Sequence, residues 1–155
     1  MTIGIFIYSQ TKNTLSITER IHEKLDQNHH EATLVHIKTQ DGKPFKKEDI
    51  RFQSLPDHRH YDTFVIESPV HAFSVSLPMS AFLKQIDAFE QKKIILFVTQ
   101  RLARPWMGGN QAISLMKDLC ISKEGRVIGS HIINWNSQQK DKQISYLIES
   151  TSSLV

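Results

Sequence analysis

Ile3-Gly4-Ile5-Phe6-Ile7-Tyr8-Ser9-Gln10-Thr11-Lys12-Asn13-Thr14 decides how this chain is read. It opens with a nearly unbroken apolar run and closes on hydroxyl and amide side chains. Behind it, Ile17, Ile21 and Leu25 recur every four residues. A strand covered on both faces has such a continuous apolar run, as in parallel sheets. The four-residue recurrence gathers its members on one side of a helix. The expected unit is therefore strand, polar turn, helix.

The same order returns downstream. Thr63-Phe64-Val65-Ile66, Ile94-Ile95-Leu96-Phe97-Val98, and Val127-Ile128-Gly129 through Ile132-Ile133 read as further buried strands. Ala32 to Ile37 is more polar and suits a sheet edge. Helical stripes lie between: Phe82, Leu83 and Ile86; Ala112, Leu115, Met116 and Leu119; Ile144, Leu147 and Ile148. Asn136-Ser137 reads as the start of the last helix, because short polar side chains accept from free first-turn N–H groups. Alternating strands and helices predict an α/β protein with a parallel sheet, helices on both faces and right-handed crossovers. Thr39 to His60, with Gly42, Pro44, Pro56 and many charges, breaks the rhythm. It reads as a long connection with at most a short helix around Lys46 to Phe52. No repeat, low-complexity tract or linker appears, so residues 1–155 are expected to form one domain.

The composition fits this reading. With 155 residues, 39% hydrophobic and 23% charged, the chain is neither disordered nor fibrous. No apolar run approaches the roughly 20 residues of a membrane span. No basic stretch precedes the first apolar run, so no signal peptide is expected. The single cysteine, Cys120, excludes an intramolecular disulfide and a cysteine zinc site, which predicts a reducing cytoplasm. Nineteen basic against sixteen acidic residues give +3. Residues 1–78 hold 9 and 10, residues 79–155 hold 10 and 6, so the halves carry −1 and +4. No dense basic run with interleaved aromatics accompanies the surplus, so neither nucleic acid nor membrane is expected as a partner.

Open parallel sheets bind ligands beyond the carboxyl ends of their strands. Three segments there are unusual. Ser9-Gln10-Thr11-Lys12-Asn13-Thr14 places three hydroxyls at a helix N-terminus, where free N–H groups and the positive dipole end attract anions. Plain helix capping would use one or two of the same residues. Ser68-Pro69-Val70-His71-Ala72-Phe73 has a stiffened turn and two rings against which a flat ligand could lie; alternatively, Phe73 is core and His71 is surface. The third segment runs from Thr99-Gln100-Arg101 through Arg104-Pro105-Trp106-Met107 to Gly108-Gly109-Asn110. It offers a large flat indole and a close backbone approach; its plain reading is a loop whose Trp106 packs over the sheet end.

These three segments, in this order, resemble the flavodoxin family from Thr2 to about Ser150. Ser9, Thr11 and Thr14 match the family's Thr/Ser-x-Thr-Gly-x-Thr phosphate loop. Ser68 to Phe73 is similar to its second loop, and Ile95 to Asn110 to its third. The resemblance implies a three-layer sandwich whose five parallel strands run in the order 2-1-3-4-5. It implies FMN as cofactor and redox chemistry on the flavin. Ser9, Thr11, Thr14 and the amides of Gln10, Thr11, Lys12, Asn13 and Thr14 would hold the 5′-phosphate. His71 and Trp106 would flank the ring. Backbone from Pro69 and Val70 through Ala72 and Phe73 would meet the N5 edge. Thr99, Gln100, Arg101, Gly108 and Gly109 would meet the pyrimidine side.

The chain departs from the family pattern twice. Lys12 stands where glycine is usual, which is tolerated if the position is already helical. Arg101 and Arg104 replace the carboxylates that surround the flavin in acidic carriers. A nearby cation stabilises an anionic reduced flavin, so a less negative potential is expected. The redox partner protein or small electron acceptor should then be neutral or acidic near its own cofactor. A monomer or weak dimer is expected.

Other chemistries lack their residues. His29-His30 and His58-x-His60 have no third ligand at recognisable spacing. No Gly-x-Ser-x-Gly element or Walker loop occurs. A receiver domain would need acids after strand one and an Asp after strand three, where Tyr8-Ser9 and Glu67-Ser68 stand. Cys120, beside Leu119, is expected to be inert core. Two functions stay open: an FMN-binding carrier or small oxidoreductase, and a non-catalytic module of the same fold that binds a protein partner with the pocket empty or repurposed.

Overall fold

The computed structural model describes residues 1–8, 11–39, 52, 57–71, 74–101, 106 and 108–155. Among these residues six strands are formed: β1 (Thr2–Ile7), β2 (Glu31–His36), β3 (Thr63–His71), β4 (Ser74–Val75), β5 (Lys93–Gln100) and β6 (Arg126–Asn134). Four helices alternate with them: α1 (Lys12–Gln27), α2 (Leu77–Gln85), α3 (Gly109–Ser122) and α4 (Lys140–Leu154). Five strands pair in parallel in the order β2-β1-β3-β5-β6, and β4 pairs antiparallel with β3. In chain order the parallel strands run 2-1-3-4-5, as expected.

Alternation along each strand sends side chains to two separate cores. Ile3, Ile5, Ile7, Val65, Ile95 and Phe97 pack against α1 (Ile17, Ile21, Leu25) and α4 (Ile144, Leu147, Ile148). Phe6, Phe64, Ile66, Leu96 and Val98 pack against α2 (Met79, Phe82, Leu83) and α3 (Ala112, Ile113, Met116, Cys120). Burying each such Ile, Leu or Phe contributes about 1.5–3 kcal/mol. Double coverage explains why β1, β3 and β5 read as unbroken apolar runs. Strand β2 is the polar edge that its sequence suggests, with exposed Glu31, Thr33 and His36.

Several boundaries differ from the sequence reading. Strand β3 continues through Glu67, Ser68, Pro69 and Val70 to His71, and β5 through Thr99 and Gln100. Ile86 is the C-terminal cap of α2 rather than a helical residue. On α3, Ile113 enters the core, while Leu115 is exposed. Helix α4 begins at Lys140, after a turn in which Ser137 N–H donates to the Asn134 carbonyl. Strand β6 is continuous across Gly129, with a register irregularity opposite Ile94/Ile95. Of the Thr39–His60 connection, Thr39 and Phe52 form an antiparallel bridge and Phe52 packs on Phe82. Residues 46–51 lie outside the described residues, and with them most of the short helix expected there.

Candidate functional site

Strand register gathers the three segments at one edge. Ile7, the last residue of β1, lies beside Glu67 of β3. Pro69 of β3 lies beside Thr99 of β5, and Gln100 beside Asn134 of β6. Because each crossover helix starts where its strand ends, the N-termini of α1, α2 and α3 share this edge. None of the three has an acidic residue in its first turn. Each helix N-terminus carries about half a positive charge, so the edge is suited to an anion.

Thr11 caps α1 in extended backbone (φ −76°, ψ 145°). Its Oγ1 accepts from Thr14 N–H at 3.3 Å and donates to Thr14 Oγ1 at 3.2 Å. Thr14 is buried, whereas Thr11, Lys12 and Asn13 are exposed. Lys12 is the first helical residue, so its Cβ meets no left-handed strain where glycine is usual in the family. Ser9 and Gln10 lie outside the described residues. Tyr8 ends this segment half-buried; burial pushes its hydroxyl up, and a hydrogen bond to Thr39 opposes the shift.

The second segment is a hairpin rather than an open loop. Val70 pairs with Val75 and His71 with Ser74. Two buried hydroxyls lock it. Ser68 Oγ donates to Ser76 Oγ at 3.1 Å and accepts from Ser76 N–H at 3.0 Å, while Ser76 caps α2. Ala72 and Phe73 lie outside the described residues, as do the ring roles expected for His71 and Phe73.

In the third segment, Thr99 and Gln100 point to opposite faces of β5. Thr99 Oγ1 donates to Glu67 Oε1 at 3.4 Å on the α1/α4 face. Gln100 is buried on the α3 face, where its Nε2 donates to Asn134 Oδ1; its carbonyl accepts from Trp135 N–H at 2.7 Å. Gln143 of α4 accepts from Asn134 N–H at 2.8 Å, completing a polar seam across the ends of β5, β6 and α4. Arg101 and Trp106 are exposed, the indole at 62%. Gly108 caps α3 at φ 115°, a conformation that favours glycine. A Cβ on Gly109 would stand 2.8 Å from Gln100 Oε1 and 2.9 Å from Ile132 Cγ2. Residues 102–105 and 107, including Arg104, lie outside the described residues.

The fold recurs in solved structures. No protein-family model and no curated sequence matches the chain. Among solved structures it is similar to oxidised flavodoxin 2 from Bacillus cereus, with TM-score 0.68, 16% identity and 100% of both chains covered. It is also similar to a Fusobacterium nucleatum flavodoxin bound to flavin mononucleotide, at 0.62 and 16%, covering 98% of this chain and 97% of that one. A Lactobacillus acidophilus flavoprotein in complex with FMN gives 0.65 and 18%, with 92% and 97% covered. The fold is that of the flavodoxins. Within this flavodoxin fold, Thr11, Lys12, Asn13, Thr14, Pro69, Val70, Thr99, Arg101, Gly108 and Gly109 stand along one sheet edge, while the Gln100 side chain is turned into the seam beneath it.

Sequence reasoning passed over Glu67 and the Ser68–Ser76 lock as site features. The Glu67 signal was visible, since a charged residue directly follows the apolar run Thr63-Phe64-Val65-Ile66. The Ser68–Ser76 contact depends on the hairpin and has no local signature. One histidine of each pair has a structural place. His58 is buried with Nε2 3.2 Å from the Ala88 carbonyl oxygen, and His29 occupies a left-handed turn at φ 64°. Among the described residues, no three His, Cys, Asp or Glu side chains are grouped as a metal would need. Likewise, no helix there is long and apolar enough to cross a membrane.

Proposed function

We propose that this chain binds FMN at the carboxyl edge of its sheet and serves as a cytoplasmic redox protein. The carrying observation is the α1 N-terminus, where the Thr11 hydroxyl caps the helix beside the first-turn N–H groups of exposed Lys12 and Asn13, with no first-turn carboxylate. That donor set fits a phosphate monoester. The solved neighbours described with FMN support the choice of ligand. Thr11, Thr14 and the first-turn amides would hold the phosphate. The β3–β4 hairpin, fixed by Ser68 and Ser76, would border the flavin on one side, and the Gly108–Gly109 turn on the other. Bound there, the flavin supplies the electron chemistry, and the chain's share is to position the ring and set its surroundings.

Exposed Lys12 and Arg101 give this edge a basic character. A partner protein or small acceptor that is neutral or acidic at its docking face suits such a field. The test is a spectrum of the purified protein followed by titration of FMN against flavin fluorescence. Paired visible bands, or saturable quenching by added FMN, are expected. A colourless protein that binds no FMN overturns the reading and leaves a partner-binding module of the same fold.

A further inference from the structure

Among the described residues, strand β6 is one free edge of the sheet. Two hydrogen bonds set the direction of its backbone. Trp135 N–H turns inward to the Gln100 carbonyl of β5, while Asn134 N–H turns outward to Gln143. Peptide groups alternate along a strand, so Ser130 and Ile132 share the outward direction of Asn134. Pairing with β5 is regular from Gly129 to Asn134, so no bulge interrupts this stretch. Free sheet edges are ordinarily guarded by charged side chains or proline. The opposite edge, β2, exposes Glu31 and His36. Val127 to Asn134 contains no Lys, Arg, Asp, Glu or Pro.

Beside that edge lies an open groove of about 420 Å³ between α3 and β6. Ser130 and Ile132 form its strand wall, and Asn110, Ile113, Ser114 and Lys117 its helix wall. Ile121, one helical turn beyond Lys117, is 60% exposed and continues the apolar surface. Among the described residues no carboxylate lines the groove, and Lys117 has no ion pair. Its neighbours three and four positions away on α3 are Ile113, Ser114, Cys120 and Ile121, which include no acid to pair with it. Ser130 and Ile132 thus offer main-chain groups at the edge and side chains to the groove. Strand addition uses both: the main chain gives affinity, and the groove reads every second side chain. We propose that the α3–β6 groove binds an extended acidic segment of a partner protein. The segment adds to the sheet beside β6, sets a carboxylate against Lys117, and lays apolar side chains on Ile113, Ile132 and Ile121. The proposal stands without the flavin reading.

The probe is a terminally blocked heptapeptide in which threonine alternates with valine, glutamate and valine, so that the glutamate and both valines share one face. We expect saturable binding that shifts the Ser130 and Ile132 amides in NMR spectra and protects them from exchange. Lysine for glutamate in the peptide, or Lys117→Glu in the protein, should weaken binding about threefold or more, as loss of a surface ion pair does. Combining the two exchanges should restore it. The peptide exchange reads the charge without altering the protein, so it decides even where Lys117→Glu fails to fold. An affinity that either exchange leaves unchanged overturns the proposal. So does an absence of saturable binding at millimolar peptide, or shifts centred on β2 or the carboxyl edge. A wild-type protein that sediments as a dimer, with the Ser130 and Ile132 amides already protected, also overturns it, because a second copy then occupies the edge.

Discussion

Gly108 holds the turn into α3 at φ 115° and ψ −28°, where an L side chain is strained. Gly108→Ala should therefore lose about 1–2 kcal/mol of stability, read as a lower urea midpoint; an unchanged midpoint would show that the turn relaxes freely. Cys120 illustrates the opposite kind of residue. It is fully buried on α3, and burial pushes its thiol up to about 12. The thiolate is the reactive form, so the native protein at pH 8 should resist a thiol reagent that labels the urea-unfolded chain at once. Both expectations follow from one residue and its immediate surroundings.

At the scale of elements, the N-terminus of α1 has two duties, which a single substitution separates. Thr11 Oγ1 satisfies Thr14 N–H, so Thr11→Ala removes a cap and should cost about 1 kcal/mol of stability. Under the proposed function it also removes a hydroxyl donor to phosphate, and FMN affinity should fall about tenfold, as expected for one charge-assisted hydrogen bond. Thr11→Ser, which restores the oxygen, should recover both. Lost stability with unchanged FMN affinity would make the cap purely structural. The β3–β4 hairpin works differently. The Ser68–Ser76 contact fixes its direction before any ligand arrives.

Across the whole molecule, stability depends on pH through a group on the α4 face of the edge strand. His131 Nε2 is buried without a hydrogen-bond partner among the described residues, and its ring lies 5.3 Å from that of Tyr146. Burial lowers its pKa below the ordinary 6.5. The unfolded chain then binds more protons than the folded one between those values, so stability rises with pH there. It is fully present above the unfolded value and is lost as pH falls through about 6.5 toward the folded one. Asp57, Asp62 and Asp87 accept hydrogen bonds that hold their carboxyls low, so their contributions fade only near pH 4 and below. Urea midpoints should therefore decline from pH 7.5 to 5.5, and His131→Gln should flatten that decline. An equal slope in the variant would place its source elsewhere.

The alternation of strands and helices, the polar edge at β2 and a hydroxyl-lined start to α1 were legible in the amino-acid order. Each is written in local periodicity or in the chemistry of one turn. That order also marked Lys12 as tolerable at a helical position, which accommodates the Cβ that lysine has and glycine lacks. Tertiary structure decided what neighbours in space decide. Pairing carried β3 and β5 past their apolar cores, since Pro69 and Thr99 continue the ladder whatever their polarity. Packing chose Ile113 over Leu115: Ile113 enters the core beneath α2 and α3, while Leu115 is left exposed. Register set Glu67 beside Ile7, on the face that α1 covers. A carboxylate's burial depends on which segments lie across from it, and local sequence carries no record of them.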